Sequence, residues 1–102
     1  MAVNTMAPVE IGSLIARTPG ICGGRPRIAG TGVSVRRIVI WYKLGLAPED
    51  IADRIGHLSL AQVHAALAFY HANREEIETA LAAEEAEADR FEKENAAAHR
   101  PA

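Results

Sequence analysis

At 102 residues, with alanine making up much of its 49% hydrophobic content, the chain has room for one domain of about 70 to 80 residues plus an appendage. The single cysteine, Cys22, excludes an intramolecular disulfide, and no stretch approaches the ~18 apolar residues of a membrane helix, so a soluble protein of a thiol-keeping, cytoplasmic compartment is expected. The formal charge of −2 conceals a split: residues 1–48 hold six cations against Glu10 alone (+5), while residues 61–102 hold four cations and nine carboxylates (−5), as if the two ends met different partners.

Residues 1–12 read as a loose arm; residues 1–8 lack the cationic start and apolar run of a secretory signal. Residues 13–18 (SLIART) have the composition of a short strand, closed by Pro19-Gly20. Five glycines and one proline between Gly20 and Gly32 predict turns and irregular strand, with Arg27-Ile28-Ala29 pairing back. Such a hairpin is barely stable alone and has to pack on helices or on a second chain.

Ser34 is placed to cap a first helix that ends at Gly45. The run Ile38-Val39-Ile40-Trp41-Tyr42 makes that helix apolar on nearly every face, which predicts cover on two sides. In so short a chain the second cover is another subunit, so Ile40 and Trp41 are assigned to a dimer interface. Pro48, Glu49 and Asp50 open a second helix that carries Ile51 and Ile55 and stops at Gly56. Ser59-Leu60-Ala61-Gln62 is a capping box for a third helix with Leu60, Val63, Leu67 and Tyr70 on one face; with no Gly or Pro between Ser59 and Arg100, it either continues or bends near Asn73 into a fourth helix.

A helix, a short turn holding Gly56 and a capped helix form the layout of a helix-turn-helix, in which the second helix enters the major groove. Its outward positions are Ala61, Gln62, His64, Ala65 and Ala68, and Gln62 has the donor and acceptor that read an adenine edge. No Lys or Arg lies between Ile55 and Asn73, so phosphate contacts fall to Arg17, Arg25, Arg27, Arg36, Arg37 and Arg54. With Ser59, Gln62 and His64, the last five of these make up the candidate DNA-binding set. A plain three-helix bundle that touches no DNA is the competing reading.

Beyond residue 73 the stripe Ile77, Leu81, Ala88 and Phe91 recurs at i, i+4, i+11 and i+14 in a sequence dense with glutamate. So narrow a stripe anchors a helix poorly, which predicts folding onto a partner protein. The organisation expected is thus an arm (1–12), a short β element plus helix-turn-helix domain (13–73) and an acidic helical tail (74–102).

The stretch from Gly20-Ile21-Cys22-Gly23-Gly24-Arg25-Pro26-Arg27 through Ile28-Ala29-Gly30-Thr31-Gly32-Val33-Ser34-Val35, with Gly45-Leu46-Ala47-Pro48-Glu49-Asp50-Ile51 and His57-Leu58-Ser59 behind it, resembles domain of unknown function family 433. The resemblance spans roughly residues 14–77. It implies a mainly α, homeodomain-like helix-turn-helix bundle of the VapB-like antitoxin kind, with a short N-terminal β element and a C-terminal helical extension. It also implies a PIN-like ribonuclease toxin as partner, operator DNA as ligand and repression of the protein's own operon as a dimer. The chain departs from the family pattern at Gly32 (commonly Arg), Ala47 (commonly a capping Ser or Thr) and Gly56 (commonly Pro). Ile77, Leu81, Ala88, Arg90, Phe91 and Lys93 are the candidate partner-binding residues. Arg90, Lys93 and Arg100 are candidates to pair with the carboxylates of the nuclease site.

No cofactor, metal or catalytic role is expected. The glycines lack the Gly-Lys-Ser/Thr ending of a phosphate loop, and His57, His64 and His71 fall about 10 Å apart along a helix, too far to share one metal ion. Cys22 has no histidine in its own motif to activate it. A pure protein-interaction or dimerisation module is the alternative to the antitoxin.

Overall fold

A computed structural model of the chain describes residues 8–98, so most of the expected arm and Arg100 lie outside the described residues. The chain divides into two compact units, residues 1–72 and 73–102.

The first unit opens with a 3-10 turn at Ile11–Leu14, where the expected strand had been placed to begin. The strand itself is shorter: β1 (Ile15–Ala16) pairs antiparallel with β2 (Arg27–Ile28), Ile15 opposite Ile28 and Ala16 opposite Arg27. A chain reversal between them uses Gly20, Gly23 and Gly24, all at positive φ. Strand β2 is flanked on both sides. The Ala29 amide donates to the Leu14 carbonyl at 2.8 Å, and the Ile28 amide donates to the Val33 carbonyl at 2.8 Å. The tight turn that makes the second pairing possible is held by Thr31, whose hydroxyl donates to the Ile28 carbonyl (2.8 Å) and accepts from the Val33 amide (3.0 Å).

Helix α1 (Val35–Lys43) begins where expected, with the Ser34 hydroxyl accepting from the Arg37 amide at 3.1 Å. It closes through Gly45, where the Leu46 amide donates back to the Trp41 carbonyl at 3.2 Å, a carbonyl that also accepts from the Leu44 amide at 3.1 Å. Helix α2 (Pro48–Ile55) starts on proline with Glu49 and Asp50 in its first turn, and has no side-chain cap because Ala47 has none to offer. It ends at Gly56 with φ 82°, a conformation closed to proline, so this chain stops α2 by a different device from the one the resemblance implied. Four residues later α3 (Leu60–Ala72) begins.

Helix α3 packs against α1, α2, both strands and the opening 3-10 turn. The core is correspondingly made of Ile28, Val33, Val35, Ile38, Val39, Ile51, Leu58, Val63, Leu67 and Tyr70. Two sequence expectations for α3 are corrected. Leu60 is exposed, because it stands at the first helical position and its side chain leans back beyond the packed turn. Ala65, expected to face outward, is buried beside Ala66. A helix enclosed on several sides buries more than one stripe, and alanine permits the close approach. The first helix is less enclosed than its sequence predicts: Val35, Ile38 and Val39 are buried, whereas Ile40 is 41% and Leu44 72% exposed.

The second unit holds a single long helix, α4 (Arg74–Ala98), separated from α3 by the break at Asn73. The Asn73 carbonyl accepts from the Ile77 amide at 3.2 Å. No helix of the described residues is long and apolar enough to cross a membrane.

Ile51 anchors α2 in the core, so Ile51→Ala is expected to lower the unfolding free energy by about 2 to 5 kcal/mol. A Cβ at Gly56 would meet nothing within 4 Å. The cost of Gly56→Ala is therefore the left-handed backbone alone, about 1 to 2 kcal/mol. Denaturant unfolding checks both, and an unmoved midpoint for Ile51→Ala would contradict this packing.

Candidate nucleic-acid interface

The candidate DNA-binding set is drawn from four places: the hairpin, the start of α1, the last turn of α2 and the start of α3. Each side chain can be judged by what it already touches.

Arg27 is the clearest correction. It was expected to meet phosphate, but only 8% of it is exposed. Its guanidinium donates to the Thr31 carbonyl (3.1 Å), the Ile28 carbonyl (3.4 Å) and the Thr18 hydroxyl (2.9 Å). It clamps the turn before β2 to the turn after it. Its five donors in a fixed fork suit three acceptors on separate segments better than an ammonium would. The missed signal was in the sequence: an arginine between Pro26 and Ile28 on a short strand, with threonines on both flanking turns.

The other cations differ. Arg25, Arg37 and Arg54 are exposed and Arg36 is half-buried. The Arg37 guanidinium lies over the Trp41 ring at 5.4 Å from its centroid, so α1 holds this cation by its own aromatic residue. Trp41 is half-buried, leaving Ile40 as the exposed member of the expected dimer pair.

At the start of α3 the capping box forms as the sequence predicts. The Ser59 amide donates to Gln62 Oε1 at 2.7 Å and the Gln62 amide donates to the Ser59 hydroxyl at 3.1 Å. That outcome corrects the adenine-reading role expected of Gln62; Ser59, a member of the same DNA-binding set, is committed to the cap as well. A glutamine whose acceptor oxygen closes its own helix cap cannot offer the paired donor and acceptor that adenine requires. His64 is exposed, between Ala61 and Ala68, which are exposed as well.

In the second unit, Ile77 is buried (2% exposed), Leu81 half-buried, and Ala88, Arg90, Phe91 and Lys93 are exposed. Ile77 is therefore not an open contact residue. Arg90 is held by Glu87, Nη2 to Oε1 at 2.9 Å, in an exposed pair of one helix turn.

The family described as Protein of unknown function (DUF433) matches residues 15–70, from β1 to the last turn of α3. The chain belongs to this family. A crystal structure of a DUF433 member from Anabaena variabilis is similar at 30% identity and a TM-score of 0.65, covering 69% of each chain. No curated protein matches. The DUF433 match takes in the hairpin, α1, α2 and nearly all of α3 and stops before α4.

Two outcomes separate the structural residues from the open ones. Arg27→Met is expected to destabilise the DUF433 unit by about 3 kcal/mol, since three acceptors lose a charged donor, whereas Arg37→Ala should cost under about 1 kcal/mol. Thermal unfolding of the two variants checks the contrast. Ser59→Ala and Gln62→Ala should each cost about 1 kcal/mol, and the double variant less than their sum, because they close one reciprocal cap.

Proposed function

We propose that this DUF433 protein is the antitoxin of a type II toxin–antitoxin pair, binding operator DNA through a homeodomain-like helix-turn-helix and a PIN-like ribonuclease toxin through its C-terminal helix. The observation that carries the reading is the short connection between α2 and α3, residues 56–59, in a unit that also exposes Arg25, Arg37 and Arg54. A turn of that length sets a pair of helices at the steep angle that lets the second reach a groove. Cations on the hairpin, α1 and α2 supply the phosphate attraction that α3 itself lacks. The exposed Ile40 and Leu44 of α1 support a homodimer, the state that a two-fold operator requires.

The second reading, a protein-interaction module that does not touch DNA, is favoured by one observation. With Ser59 and Gln62 closing a cap and Ala65 buried, the face of α3 left for bases holds His64 among alanines. In the antitoxin reading such a protein positions itself by phosphate contacts and reads few bases.

A mobility shift on the DNA upstream of the protein's own gene distinguishes the two. Binding that weakens steeply with salt is expected, with Arg37→Ala and Arg54→Ala each reducing the log–log salt slope by about 1. Absence of a shift at low salt, with the neighbouring gene product added, would leave the interaction module as the function.

A further inference from the structure

The stripe on α4 has the spacing of a coiled-coil seam. Ile77, Leu81, Glu84, Ala88 and Phe91 follow one another by four and three residues alternately, and burial falls along them from Ile77 (2% exposed) to Phe91 (66%). The C-terminal half of the seam is thus open. Its margins are all of one sign: Glu85 and Glu92 run along one side, Glu87 and Glu94 along the other, each exposed. At about 100° per residue, Lys93 falls on the far side of the helix from Phe91 and Ala88, and Arg90 lies outside the seam, about 100° round from Phe91. They cannot lead an insertion by the seam. The exposed Arg90–Glu87 pair offsets one carboxylate only weakly.

This arrangement selects its occupant. A second α4 laid parallel would set one glutamate margin against the other, and laid antiparallel would set each against itself. Like charges in those positions repel. We infer that the open seam of α4 takes a partner surface with an apolar floor and a rim of lysine or arginine, and excludes a second copy of itself. The inference rests on the partner-binding reading of this helix and names the chemistry of the surface bound.

A charge-reversed copy of the chain supplies a probe of that chemistry. The full chain, in a Cys22→Ser background with Ile40→Asp and Leu44→Asp to remove association through the exposed face of α1, carries a donor or acceptor dye at Asp89→Cys outside the seam. The partner copy adds Glu85→Lys, Glu87→Lys, Glu92→Lys and Glu94→Lys, with its helicity checked by circular dichroism. Energy transfer between wild-type and lysine tails is expected at concentrations at least tenfold below any transfer between like tails. It should weaken with salt and vanish with Phe91→Ala in both copies. Equal transfer in the like and mixed pairs, or none in the mixture, would overturn the inference. Should the lysine copy not fold, the four Glu→Gln changes serve instead: their tails should self-associate at least tenfold more tightly than wild type, and no gain would overturn it. Co-purification with the product of the neighbouring reading frame is a separate readout. A nuclease retained equally by wild type and by the four-glutamine variant leaves the antitoxin reading standing and removes this inference; a failed co-purification removes the antitoxin and leaves the seam result to be judged by energy transfer alone.

Discussion

The first unit depends on α3 being enclosed. A chain with few large side chains cannot build a core between two broad layers, so it wraps the hairpin, α1 and α2 around one helix. Ala65 and Ala66 bring those elements close, and Val63, Leu67 and Tyr70 fill the spaces between them. The same enclosure narrows what α3 can present outward. Any groove-facing role falls on its first turns, where Ser59 and Gln62 already satisfy the helix end. In the antitoxin reading proposed for this chain, stability and base reading would draw on one helix, and the cap favours stability.

The cations divide along similar lines. Arg27 lies buried among neutral acceptors and joins Thr18 to Ile28 and Thr31, giving a two-residue strand pair the rigidity that its own ladder cannot supply. Arg37 stays outside, braced on Trp41. Both are arginines of the basic front half, but only one is available to a polyanion. A count of charges thus overstates the electrostatic footprint by whatever the fold takes for itself.

The acidic half shows the converse. In α4 some carboxylates serve the helix that bears them, Glu75 and Glu76 in its positive first turn and Glu87 in its pair with Arg90. Their meaning lies in where they run, along both margins of an apolar seam whose far end is uncovered. Repulsion between like margins makes this surface selective without any contact being optimised, since wrong partners are rejected by charge before packing is tested.

Much of the element map was legible in the residues, because helix ends and turns are decided locally. Ser34 and the Ser59–Gln62 box mark two helix starts, Pro48 marks a third, and Gly45 and Gly56 mark two ends through backbone conformations that other residues resist. The pairing of residues 27 and 28 with the first strand was also legible, though the strands proved only two residues long. Which members of a residue type are buried was not legible, because burial is a property of distant segments brought together. Arg27 and Arg37 share a side chain and a composition-level role, and only packing separates clamp from open cation. Gln62 was recognisable both as a cap and as a base reader, and only the observed hydrogen bonds decide between them. The sequence by itself determined where this chain bends and caps; tertiary structure decided which of its polar groups remain free to act, since each bond made inside the fold removes a donor or acceptor from its surface.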